Sequence, residues 1–528
     1  MLLKNALIYD GSGEQPFRGD ISFDEGGIKA VGAGLPAEDR QIDCGGLAAA
    51  PGFIDFHSHN DWFIGASDRP GFMLPFLEQG ITTHIGGNCG FGPAGYMPNS
   101  PHLNLLQSNL FKEGVSDGIS WASFEEYFNH LGSRGLRGNI AALAGSGTTR
   151  ASISGYDAAD LNGDDLGQYL ALLDDAMRQG ALGVSFGMGY APDIFAGRKQ
   201  ILEVMKLVKK HDKLVTVHLR AQSLVSGVYP MKPFGTPHNI ISIKEFLDLA
   251  EDTGVKLNIS HMIFVGRRSW RTYEPLIRLF DEYRARGCDL SFDTYSHHCG
   301  ATVVTGILPD WFMAEVPAAY RDARLRLKVR VLMSIAFKTI GFDFRDMQLA
   351  SACCGELEEY NGMFLSDMAK ARGVSNFDNY MDIAEKSGSS ARMLLHGYSN
   401  PQIIAGLMRH PDSHFMTDSW VEPDGLQNPA VYGAFPKFLQ RSASEGVIPL
   451  ELAVRKLSGA NADRAGLAGR GYLRPGMGSD IVVFDPRSVA DREGGRPSGI
   501  EHVFLNGVYA VRGGTADEGC RSGRVLLG

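Results

Sequence analysis

The chain alternates short apolar runs with amphipathic helical stretches eight times, and this rhythm limits its fold more than any other feature. The runs are Phe53–His59, Ile81–Cys89, Asn139–Ala144, Ala181–Phe186, Leu214–Leu219, Leu257–His261, Asp289–Tyr295 and His414–Asp418. Between them lie segments such as Asp164–Gln179, with Leu166, Tyr169, Leu170, Leu173 and Met177 on one face. Another is Ser242–Asp252, with Gly254 placed to end the helix. Strand and helix in alternation predict an α/β fold with a parallel sheet. Eight units predict a closed (β/α)8 TIM-like barrel, with its chemistry at the C-terminal ends of the strands. The competing arrangement is an open doubly wound sheet. No Gly-x-Gly-x-x-Gly follows the first strand to favour it.

The chain has 528 residues, and a barrel needs about 250. The surplus divides into two parts. Residues 1–50 and 470–528 read as short strands and hairpins, with Asn506-Gly507 a strong turn signal. A small β-sandwich domain built from both chain ends is expected there. Residues 51–469 then form the barrel, with an insertion at about 298–390 between the seventh and eighth strands. Helix formers crowd Ala318–Ala336. An insertion on the catalytic face is a lid or an oligomer contact.

Hydrophobic content of 44% suits a soluble globular protein, and a net charge of -9 with no basic face argues against a nucleic-acid partner. No apolar window is long enough to span a membrane. The N-terminus turns polar too soon for a secretory signal. Seven cysteines without regular spacing read as reduced thiols, which implies a cytoplasmic protein.

His57 and His59 end the first run at a spacing of two. On a strand they point the same way and can share a metal ion, although two unrelated histidines would look the same. The other strand ends decide between these readings. The second run ends in Cys89, the fifth in His218, the sixth in His261 and the eighth in Asp418. Six ligand-type residues at five strand ends converge on one rim of a barrel, which points to a metal site. Asp55, His84 and Asp293 read as stray polar residues on the same strands.

Pro51-Gly52-Phe53-Ile54-Asp55-Phe56-His57-Ser58-His59 resembles the first-strand signature of the amidohydrolase superfamily. Gly87-Asn88-Cys89-Gly90-Phe91 resembles one branch of it, the N-acyl-D-amino-acid deacylases, or D-aminoacylases. So do Ser185-Phe186-Gly187-Met188-Gly189-Tyr190-Ala191-Pro192, Tyr432-Gly433-Ala434-Phe435-Pro436 and Gly471-Tyr472-Leu473-Arg474-Pro475-Gly476. The likeness runs along nearly the whole chain and is weakest in the insertion. Most amidohydrolases are expected to bridge two metals with a lysine on strand four. Here Ala181–Phe186 has no Lys, and the resemblance puts Cys89 in its place.

The resemblance implies a zinc-dependent hydrolase of an amide bond in a small molecule. Cys89, His218 and His261 would hold one zinc tightly, and His57, His59 and Asp418 would form a weaker second position. Asp418 would be the catalytic base, taking a proton from the attacking water and delivering it to the leaving nitrogen. Tyr190 and Arg220 are candidates for binding substrate or oxyanion, and Tyr295 remains from the family pattern.

Departures cluster where substrate should bind. The family's Ser-His-His-Lys is Ser260-His261-Met262-Ile263, so a cationic anchor has become aliphatic. Gly-His-Gly-Thr is Gly145-Ser146-Gly147-Thr148, Ala-Gly-Ser is Cys299-Gly300-Ala301-Thr302, and Ser-Asp-Gly is Thr417-Asp418-Ser419-Trp420. The expected pocket is more apolar, through Met262, Ile263, Phe264 and Trp420. The substrate would lack a free carboxylate, or hold it through Arg220, Arg267 or Arg268, with His297 and His298 as replacement contacts. The alternatives are hydrolysis of a cyclic amide, lactone, carbamate or activated C–C bond, and a lyase or isomerase on the same metal. A non-enzymatic scaffold would have no use for six ligands on one rim.

Overall fold

The computed structural model describes residues 1–107, 118–230, 232 and 235–528. Each of the eight apolar runs overlaps a strand: Phe53–Asp55, Ile81–Gly86, Asn139–Ala142, Gly183–Gly187, Leu214–His218, Lys256–Ile259, Leu290–Thr294 and Ser413–Phe415. The first three pair in parallel, in chain order. The third strand breaks at Leu143 and resumes as Ala144–Gly145, which pairs with the fourth. The fourth to eighth then follow one another, all parallel. The two outer edges, first and eighth, also meet. The Asp418 N–H donates to the His57 carbonyl at 2.9 Å. The Asp55 carboxylate accepts the Thr417 N–H at 2.9 Å and the Thr417 hydroxyl at 2.5 Å. Asp55 is therefore a tie between strand ends rather than a stray.

The intervening helices bury the faces their sequences mark. Gly163–Arg178 buries Tyr169, Leu173 and Met177. His238–Thr253 ends at Gly254, whose φ of 64° is the left-handed geometry that glycine adopts without steric cost. Among the described residues, no helix is long and apolar enough to cross a membrane.

The two chain ends share one nine-stranded mixed sheet, in which Ala48–Pro51 pairs with Ile481–Phe484. Three strands separate the one carrying Phe23 from the one carrying Phe504. In a flat sheet that would place them about 19 Å apart, at ~4.8 Å per strand. The two rings lie 4.9 Å apart, so the sheet curls over its own core. Its other face packs through Val482, Phe484 and Val503 against helix Ala430–Ala443.

The segment after the seventh strand holds the expected helix, shifted to Ala323–Ile340. Asp322 caps its start by accepting the N–H groups of Arg324 and Leu325. The segment also holds an antiparallel sheet of Cys299–Val303, Arg392–His396 and Met347–Ser351, with Arg392–His396 in the centre. Its outer strands are far apart in the chain, and local pattern does not reveal such pairing.

Candidate metal centre

The ends of five parallel strands bring all six expected donors together. Cys89, His218 and His261 place their ligand atoms within 4.8 Å of one another, and so do His57, His59, Cys89 and Asp418. Cys89 belongs to both groups. Its Sγ lies 3.4 Å from His57 Nε2, 3.5 Å from His261 Nε2 and 3.8 Å from His218 Nδ1. Asp418 Oδ1 lies 3.3 Å from His57 Nε2 and 3.2 Å from His59 Nε2. Nitrogen and sulfur ligands around a tetrahedral zinc stand roughly 3.3–3.6 Å apart, given bonds of about 2.0–2.3 Å. The donor spacing is of this order, except that His218 Nδ1 and His261 Nε2 approach to 2.8 Å.

The backbone itself is turned to present these atoms. Cys89, His261 and Asp418 have φ of 53°, 33° and 44°. This region is disfavoured for residues with a Cβ, and such conformations cluster at functional sites. Gly189 makes room for His218, since a Cβ there would lie 2.7 Å from His218 Nε2.

The charges also suit a cation. Burial pushes the Cys89 thiol up to about 11, against the neighbouring His57. A thiolate here requires a compensating positive charge, which a metal supplies. Burial opposes ionisation of Asp418, but His57, His59 and His261 outweigh it and hold the carboxyl well below the carboxylate range. Burial likewise opposes protonation of His57, and Asp418, Cys89 and Asp293 overcome it.

Two supports were not legible as such. Asp293 accepts the His261 N–H at 2.5 Å, and its Oδ2 lies 3.5 Å from His57 Nδ1. Its place at the end of the seventh strand, two residues before Tyr295, is the signal that could have found it. The Gln222 amide lies 2.8 Å from His261 Nδ1. Both act on the far side of a ligating ring, where a partner fixes tautomer and orientation.

The centre opens into a cavity of about 480 Å3. Tyr190, Arg220, Tyr295, Ile263 and Trp420 line it. The Tyr295 hydroxyl donates to Asp418 Oδ2 in a short hydrogen bond. The Tyr190 ring centroid is 4.6 Å from that of His218, and its hydroxyl is 3.3 Å from Thr302 Oγ1. The Trp420 ring centroid lies 5.6 Å from that of His59, and its indole N–H donates to Glu422 Oε1 at 2.9 Å.

Other expectations fail. His297 does not line the cavity. Its Nε2 lies 3.0 Å from Asp491 Oδ2 in the C-terminal hairpin. His298 is exposed and also outside. Met262 and Phe264 point into the core on either side of Ile263, because alternate residues of an extended segment face opposite ways. Arg267 pairs with Asp346, and Arg268 donates to the Lys338 carbonyl; neither lines the cavity. Arg220 does line it, but its guanidinium is held by Glu245 and by the carbonyls of Ile194 and Ala196.

No family model matches the chain. Individual proteins do. A D-aminoacylase of Alcaligenes xylosoxydans xylosoxydans is 28% identical over 533 residues, covering 100% of this chain and 97% of its own. An N-acyl-D-glutamate deacylase of the same organism is 25% identical, covering 100% and 96%. A solved D-aminoacylase with a binuclear metal centre superposes with a TM-score of 0.81 at 26% identity, over 100% of this chain and 99% of that one. The agreement runs the full length of the chain in both sequence and fold: its homologues are the D-aminoacylases and N-acyl-D-amino-acid deacylases, which are amidohydrolases.

Proposed function

We propose that the protein is a zinc-dependent hydrolase of an N-acyl amide bond, acting on a small, largely apolar substrate. In this reading the eight parallel strands close as a (β/α)8 barrel over residues 51–469. The curled sheet from both chain ends is a small β-sandwich domain, and the segment at about 298–390 is a lid. One zinc is held tightly by Cys89, His218 and His261, with a weaker second position at His57, His59 and Asp418. The observation that carries the reading is the sharing of Cys89 between the two donor groups, with Asp418 facing the cavity. A reduced cytoplasm suits such a thiolate.

Zinc in this donor set supplies Lewis acidity, activating water near neutral pH and polarising the carbonyl. The chain does the rest. Asp418 takes the proton of the attacking water at Oδ1 and returns it to the leaving nitrogen. Tyr295 holds Oδ2, which fixes the carboxylate plane. Asp293 and Gln222 orient His57 and His261. Tyr190 is placed to donate to the substrate carbonyl or its oxyanion. Ile263 stands where the family carries a cationic anchor, and the Arg220 guanidinium already has partners. An amide without a free carboxylate is therefore the preferred substrate.

Elemental analysis of the wild type and Cys89→Ala, with hydrolysis of N-acetyl-D-methionine and an uncharged aromatic anilide, tests this reading. About one zinc per chain, lost in the variant, with cleavage of the anilide alone, is expected. Efficient cleavage of the D-amino acid would restore an ordinary carboxylate-binding pocket, and absence of metal would remove the mechanism.

A further inference from the structure

One wall of the cavity is the work of one helix. Ala323–Ile340 contributes Val329, Leu332, Met333, Ala336, Phe337 and Ile340 to the lining. These positions, spaced three and four apart, form one helical face. From first to last they rise about 16 Å at 1.5 Å per residue. Every side chain on that face is apolar. Trp311, on the short helix Asp310–Met313, also lines the cavity, and Lys328 Nζ sits 3.7 Å above its ring. The two helices are thereby joined at one side of the space.

Val329, Met333 and Ile340 are packed into the core, whereas Leu332, Ala336 and Phe337 are half-buried, so a methyl group held at the metal donors would leave these three facing water, which is unfavourable for apolar surface. Lining of Val, Leu, Met and Ile along a single face suits an extended chain, and the unbranched Met333 at its middle can adjust to one. We infer that the amide substrate carries a long aliphatic chain, laid along the inner face of helix Ala323–Ile340. The inference rests on the hydrolase reading for the position of the amide, but the chain site itself does not need catalysis. The chain can belong to the acyl group or to the amine, and both place the same methylenes against the wall.

Two substrate series on the zinc-loaded protein distinguish these sources: N-acyl-p-nitroanilides from acetyl to dodecanoyl, and N-acetyl-alkylamines from butyl to dodecyl. Each methylene transferred from water to the wall should raise kcat/KM roughly fourfold. One series is expected to climb about 10²–10³-fold over four or five added carbons, and the series that climbs identifies the side. Met333→Trp should move the best chain length down by several carbons. Calorimetric titration with 1-decanol, which has no amide, reads the site without turnover. Decanol binding with no amide cleaved would keep the chain site and remove the hydrolase reading. Flat or falling rates in both series, with no decanol binding, would overturn the inference and leave the hydrolase intact.

Discussion

The two parts of the cavity lining, metal donors and helix wall, are built in opposite ways. Around the metal donors, six side chains converge from the ends of five strands, and three of them, Cys89, His261 and Asp418, sit on backbone turned into a disfavoured region. In the helix wall, six apolar side chains from one helix line the space with no polar side chain among them. Directional contacts hold atoms to within tenths of an ångström, as bond-making requires. Apolar contacts fix shape and volume only, and they accept ligands of varied length. Chemistry and selectivity are thus assigned to different parts of the chain, and each can change without the other. That separation fits the departures from the family pattern, which spare the donors.

The largest test of this division is Asp418→Asn. The amide keeps the shape of the carboxylate but cannot take a proton, so kcat should fall about 10²–10⁴-fold. Affinity for a neutral apolar ligand such as decanol should be unaltered, and a parallel loss there would join the two parts into one unit. A smaller effect is expected from Gln222→Ala, which touches no metal. Loss of the partner behind His261 should weaken zinc affinity or turnover about 10–100-fold. Competition with a chelator reads the first and steady-state kinetics the second. A loss of folding stability with neither changed would make Gln222 structural.

The smallest effect separates burial from charge pairing. His57 is buried beside carboxylates and its pKa is raised, whereas burial pushes His84 and His414 down to about 3. For the latter two the folded value lies below the unfolded value of about 6.5. The unfolded chain therefore binds more protons between those limits. Their contribution to stability is complete above about pH 6.5 and is lost as pH falls toward 3. Urea unfolding from pH 7 to 4 should show this decline, with a shallower slope in His84→Gln. An unchanged slope would place the acid sensitivity elsewhere.

How much of this was legible follows from what each residue depends on. Ligand types at strand ends are visible in sequence, because strand periodicity and donor chemistry are both local. The convergence of His57, His59, Cys89, His218, His261 and Asp418 is read from those two signals, and the structure brings their donor atoms together. Asp293 carries the same signal but was dismissed, since a carboxylate supporting a ligand looks like any other on a strand. His297 was misplaced because its partner, Asp491, is 194 residues away and nothing nearby announces it. Met262 and Phe264 were misplaced by treating consecutive residues as one surface, where an extended backbone sends only Ile263 to the cavity. In the insertion, helix content was legible and the strand pairing that anchors it was not, for the same reason of distance in the chain.

Cys89, His261 and Asp418 owe their positions to left-handed backbone, at a cost on the order of 1–3 kcal/mol each. Contacts within the fold offset part of that cost: the His261 N–H donates to Asp293 and the Asp418 N–H to the His57 carbonyl. Such contacts do not involve an ion, so the donor set is expected to be a template rather than a product of metal binding. Stripped protein should stay folded with the donors in place, and a metal returned later should find its ligands already arranged. In that case the ion would be chosen by exchange on the finished protein and not during folding.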